Sequence, residues 1–188
     1  MNVYPYYVDK KSFLFGNTDM YQKFGITFLD GGVPHDTLLP GLRQRKVTIP
    51  LRHGAYDYGA KYYNERALSV NCITVRSGSR NDAREMAYIL SKKSEIRFWN
   101  EPEKYYIGRI YEAPELDILL KIGNRFTLTF LCEPFAYGET KTATFQNLTY
   151  TPDYAGTIDT PTYIEIINNG TANVVNIRIS QVDKKENY

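Results

Sequence analysis

The stretch FTLTFLCEPFAYG, Phe126 to Gly138, reads as a strand that ends in a turn. Phe126, Leu128, Phe130 and Cys132 alternate on one face, while Arg125, Thr127, Thr129 and Glu133 occupy the other. One face of this strand is therefore buried, and Pro134 with the aromatics around it closes it. Cys132 and Glu133 are neighbours in sequence but point to opposite sides of a sheet. A thiol nucleophile also needs a base within hydrogen-bond reach, and neither His35 nor His53 has a sequence context that supplies one. The cysteine is a core position, and no catalytic residue is expected here.

Working upstream, the chain repeats the same design. KYYIGRIYEA, ELDILLKI and EIRFW read as strands, and in LSVNCITV the residues Leu68, Val70 and Cys72 share a face. The segment SRNDAREMAYILSKK is the one clear helix. Ser79 and Asp82 make a capping-box-like start, Ala83, Met86, Ala87 and Leu90 fall on one stripe, and Lys92 and Lys93 suit the C-terminal end. Earlier still, VYPYYV, FLFG and FGITFL are strand-like. KVTIPLR places Val47, Ile49 and Leu51 on one face, with Pro50 marking an edge or a strand end. The expected fold is mainly β with one packed amphipathic helix (α+β).

Between these strands lies Gly31 to Gln44, long, rich in proline and without periodicity. Loops of this length in a compact domain either order at an interface or form a surface excursion. As an interface it would present Pro34, His35, Leu38, Leu39, Pro40 and Leu42 to a second copy of the chain.

Downstream of Tyr137 the composition shifts to Thr, Asn and Gly. Ile164 and Ile166 precede an Asn169-Gly170 turn and Val175, Ile177 and Ile179 follow it, a hairpin pattern. About fifty residues with three or four strands bury little on their own. The expected organisation is a first domain over residues 1–137 and the beginning of a second β-domain over 138–188. The sequons at Asn147 and Asn169 read as turn residues.

Composition narrows the function. The chain has 188 residues, a net charge of +2, and 17 tyrosines beside a single tryptophan. Cations and acids are interspersed, which gives no field for gripping a phosphate backbone. No apolar run is long enough to span a bilayer, and MNVYPYYVDKK lacks the apolar core of a signal peptide, which implies synthesis in a cytoplasm. Two cysteines and two histidines are too few and too scattered for a zinc site, so no metal or cofactor is expected. Cys72 and Cys132 fit free buried thiols better than a disulfide. The acid pairs Glu101/Glu103 and Glu115/Asp117 lie on turn-like segments, where acids serve solubility rather than glycoside hydrolysis.

Three stretches in order resemble the distal tail protein family of bacteriophages with long non-contractile tails: VTIPLRHGAYDYGAKYYNERALSV, the helix SRNDAREMAYIL followed by IRFWNEPEKYYIGRI, and GNRFTLTFLCEPFAYG. A looser fourth, GTIDTPTYIEIINNGTANV, is similar to the entry of that family's C-terminal β-domain. The resemblance implies a β-sandwich with one helix and an extended hairpin, followed by a partial galectin-like or jelly-roll-like segment. It implies a non-enzymatic virion protein whose six copies form a ring at the tail tip. That ring would join the tail-tube protein to hub or fibre proteins and pass DNA in transit, without membrane contact. The alternative is a carbohydrate-binding β-module for attachment to the host surface. It would need exposed coplanar aromatics, whereas Phe98-Trp99 beside the helix reads as core.

Overall fold

The computed structural model describes residues 11–29, 33–37, 39–43, 46–58, 62–112, 121–144, 156–158, 160 and 162–172. Backbone contacts divide the chain into two units, Met1–Thr142 and Ala143–Tyr188.

In the first unit the elements run β1 (Phe13–Phe15), β2 (Thr18–Asp19), α1 (Met20–Phe24), β3 (Ile26–Phe28), β4 (Lys46–Thr48), β5 (Ala55–Asp57) and β6 (Arg66–Thr74). They continue with α2 (Arg80–Leu90), β7 (Ser94–Phe98), β8 (Lys104–Glu112), β9 (Arg125–Cys132) and β10 (Tyr137–Gly138). Eight strands form one antiparallel sheet in the order β2-β1-β7-β8-β9-β6-β3, with β10 pairing β8 beside that path. β4 and β5 make a separate two-stranded hairpin.

The mainly-β expectation holds, but the two facing sheets of a sandwich are here one sheet that curls. Its two ends meet: Phe28 N–H donates to the Lys11 carbonyl at 2.8 Å, and Ser12 Oγ donates to the Ile26 carbonyl at 2.9 Å. Phe13 of β1 consequently stacks on Phe28 of β3 at 5.7 Å, although these strands stand near opposite ends of the strand order. Strand twist supplies the curl, and an irregularity between Ile110 and Glu112 of β8 adds to it. The core is enclosed by curvature instead of by stacking.

The buried rows follow the alternation in the sequence. On β6, Leu68, Val70 and Cys72 are inside; on β9, Leu128, Phe130 and Cys132 are inside and Phe126 at the strand's start is half-buried. β6 and β9 pair over eight residues, from Arg66 opposite Cys132 to Ile73 opposite Arg125. Cys72 thus sits opposite Phe126, six positions along the strand from Cys132's partner, or about 20 Å at 3.3 Å per residue. A disulfide is excluded by that separation, and both thiols are free.

α2 carries the chain from β6 past β9 and β8 to β7, and its stripe of Ala83, Met86 and Leu90 enters the core. The capping box read from the sequence is present: Asp82 N–H donates to Ser79 Oγ at 3.2 Å, and Ser79 N–H donates to Asp82 Oδ2 at 2.6 Å. Ser79→Ala is expected to cost about 1 kcal/mol in urea unfolding, with Ser79→Asp recovering most of it.

The sequence reading missed α1. It is five residues long, begins with Asp19 accepting from the N–H groups of Tyr21 and Gln22, and ends at Gly25 with φ 67°. A Cβ at Gly25 would lie 2.4 Å from Arg76 Cγ as well as demanding a left-handed backbone, so this glycine is required twice over.

In the second unit, Asn168 caps a turn: its Oδ1 accepts from Gly170 N–H at 2.9 Å and its Nδ2 donates to the Ala172 carbonyl at 2.9 Å. Ile164 and Ile166 before this turn are exposed and lie in no strand among the described residues. The expected second arm, Val175 to Ile179, lies outside the described residues, as do VYPYYV, Asn147 and most of ELDILLKI.

Candidate functional site

The long segment after β3 does not float. It returns to β6, where His35 N–H donates to the Ser69 carbonyl at 2.7 Å and Ser69 N–H donates back at 3.1 Å. Arg66, on the same strand, holds it from the side: Nε lies 3.1 Å from Asp36 Oδ1 and an Nη donates to the Thr37 carbonyl at 3.0 Å. Farther on, Asn64 N–H donates to the Gly41 carbonyl and Arg43 N–H to the Tyr62 carbonyl. The edge of β6 therefore supplies the backbone partners that aperiodic sequence did not reveal.

Of the proposed contact residues, Pro40 is buried, Pro34 is half-buried, and His35, Leu39 and Leu42 are exposed. Leu38 lies outside the described residues.

From Gly41 and Asn64 outward the chain becomes an arm. Leu42 bridges Tyr63, then β4 and β5 pair from Lys46 opposite Asp57 to Thr48 opposite Ala55. Its apolar residues, Val47, Ile49, Leu51, Tyr56 and Tyr58, are all exposed. The alternation in KVTIPLR suggested a face shared by Val47, Ile49 and Leu51. The strand instead ends at Thr48, and Ile49 to Arg52 form the tip, closed by Arg52 N–H donating to the Ile49 carbonyl. Pro50 cannot donate to a ladder, and it sits where the ladder stops. An arm with apolar residues in water on both strands is a binding element by composition.

Beside the root of this arm a shallow cleft opens between the segment 33–36 and the turn after β7. Leu68, Phe98 and Tyr106 form its floor, and Asp36 and Glu101 stand at its side. Burial pushes the Asp36 carboxyl above its ordinary value, against the pull of Arg66 and with Glu101 adding to the rise. The Tyr106 hydroxyl is pushed up to about 12, by burial first and then by Glu101 and Asp36. This cleft joins residues far apart in sequence and no motif announces it.

The opening pair, Cys132 and Glu133, diverges as the alternation requires. Glu133 turns to Lys93 Nζ at 2.6 Å and to the Tyr137 hydroxyl at 2.5 Å, and these bonds hold its carboxyl below the usual range. Burial pushes the Cys132 thiol to about 12 and Cys72 higher still. Thiolate is the reactive form, so neither cysteine should react with a maleimide in the native protein at neutral pH, and both should react once it is unfolded. Fast labelling of either in folded protein would contradict this burial.

The aromatics are engaged with one another. Tyr105 stacks on Tyr137 at 5.6 Å with Arg97 over its other face at 4.7 Å, and Trp99 packs on the core with Lys11 over its ring. Among the described residues no group of three His, Cys, Asp or Glu side chains is placed to hold a metal ion, and no helix is long and apolar enough to cross a membrane.

Three comparisons bear on this architecture. No curated protein matches the chain. A crystal structure of the SPP1 Dit (gp 19.1) protein, described as a paradigm of the hub adsorption apparatus in phages infecting Gram-positive bacteria, superposes with a TM-score of 0.50 at 23% identity. The match covers 68% of this chain and 52% of that one, so this chain matches about half of the Dit protein's length, and the likeness is one of fold. Residues 34–132, running from the start of the pinned segment through the arm, the cleft and β9, match the family model for the phage tail protein RIFT-related domain. As that match takes in more than half of the 188 residues, the chain belongs to the phage tail protein RIFT-related domain family.

Proposed function

We propose that this phage tail protein is a hub subunit at the distal end of a long non-contractile tail, where six copies form a ring between the tail tube and the tip proteins. The observation that carries this reading is the exposed apolar arm on a fold shared with SPP1 Dit. A ring closes when one surface of each copy binds a different surface of the next, and an arm projecting from a rigid curled sheet provides such a surface. In this reading residues 1–137 build the ring, with Pro34, His35, Leu38, Leu39, Pro40 and Leu42 near its contacts, and 138–188 begin an outer β-domain. The role is structural, not enzymatic. A net charge of +2 suits a channel that DNA traverses without being held.

The test is light scattering and negative-stain imaging of the purified protein, alone and with its tail-tube protein. Closed rings are expected. A protein that stays monomeric at high concentration, even with the tube protein added, removes the reading.

A further inference from the structure

The arm ends in Ile49-Pro50-Leu51-Arg52-His53-Gly54. Leu51 is fully exposed, and its φ of 65° lies in the left-handed region that a side chain of this bulk disfavours. It therefore combines backbone strain with an apolar side chain held wholly in water, and the isolated chain gives neither any return. The Arg52 and His53 side chains next to it make no hydrogen bond or ion pair among the described residues.

The same folded unit carries a hollow that complements this tip. The cleft beside β6 measures about 140 Å³, and its floor of Leu68, Phe98 and Tyr106 is apolar. An apolar cavity of about 150 Å³ accepts benzene, so the space accommodates the four carbons of a leucine side chain. Asp36 and Glu101 flank it. Arg66 is already committed to Asp36 and to the Thr37 carbonyl, and Lys104 reaches Glu101 only at 3.6 Å from an exposed position. Burial still outweighs Arg66 at Asp36, which leaves the acids short of positive charge.

We propose that Leu51 of one copy seats in the cleft of the next copy, with Arg52 and His53 brought over Asp36 and Glu101. This inference rests on the ring reading and gives it a contact. Tip and cleft are different surfaces of one chain, so their union is head-to-tail and propagates around a ring. The buried leucine supplies the anchor, and the charges supply register and rejection of a misplaced neighbour.

Cysteine cross-linking tests it, since both native thiols are buried. His53→Cys protein mixed with Asn100→Cys protein, joined by a short bismaleimide, should give a dimer that neither variant gives alone. A chain carrying both substitutions should give a ladder. Adding Leu51→Asp to the His53→Cys protein should abolish the dimer. Arg52→Glu should lower its yield about tenfold, and Glu101→Lys on the opposite protein should restore it. If micrographs show rings but the mixture gives no dimer above the single variants, this contact is overturned and the ring stands. If neither rings nor cross-links form, both fall.

Discussion

Replacing Phe130 with alanine is expected to lower the unfolding free energy by about 3–5 kcal/mol, the range for truncating a fully buried aromatic ring. Phe130 is entirely inside and touches three strands' worth of aromatics: Phe13 edge-on at 5.4 Å, Phe98 at 6.2 Å and Phe15 at 6.2 Å. Those rings come from β1 and β7, so the hole left by the substitution lies where the curled sheet faces itself. It cannot be refilled by shifting one neighbour. Phe126, at the half-buried start of the same strand, is the internal control and should cost clearly less. Urea unfolding of both variants decides the matter; a Phe126→Ala loss equal to that of Phe130→Ala would mean that the core is not centred where the rings converge.

The second large effect is expected at Gly108. In β8 this glycine stands opposite Cys132 of β9. A Cβ placed on it would lie 2.5 Å from Cys132 Sγ, 2.9 Å from the Leu131 carbonyl oxygen and 3.1 Å from Cys132 Cα. One of these is a side chain and two are backbone, which separates the penalty into a removable and an irremovable part. Gly108→Ala should destabilise by about 1–3 kcal/mol, as overpacking in a closed core does. In the double variant with Cys132→Ala the two losses should fall short of additive, because the sulfur clash disappears while the carbonyl clash stays. Strict additivity in a double-mutant cycle would show that the strands separate instead of clashing.

Much of this architecture was legible in the residues. β6 and β9 are long enough for alternation to repeat several times, and α2 carries both a stripe and a reciprocal cap, so local pattern and final burial agree. α1 escaped notice because five residues complete barely one turn and a half. Its signals were the ends, Asp19 and Gly25, rather than any periodicity. The curl, in contrast, depends on Lys11 meeting Phe28 and on Phe13 meeting Phe98, and pairings over such distances leave no trace in a local window. KVTIPLR shows the opposite failure. Its alternation is real, but it belongs to an arm whose apolar residues lack any partner within the chain, so the pattern promised a buried face that the monomer does not possess. The cleft at Asp36 and Glu101 was invisible for the same reason as the curl.

The meeting of the sheet's two ends also dictates an order of events during synthesis. β1 leaves the ribosome among the first residues, yet its ladder partner is β7, where Phe13 faces Phe98, and β6 waits longer still, since Leu68 pairs with Phe130. At about 5–20 residues per second, the apolar β1 residues stand unpaired for several seconds while the chain between them is made. Such a topology has high contact order and closes late. The nascent chain is thus a client for holding chaperones until Cys132 has emerged, and subunit supply for tail assembly is paced by completion of β9.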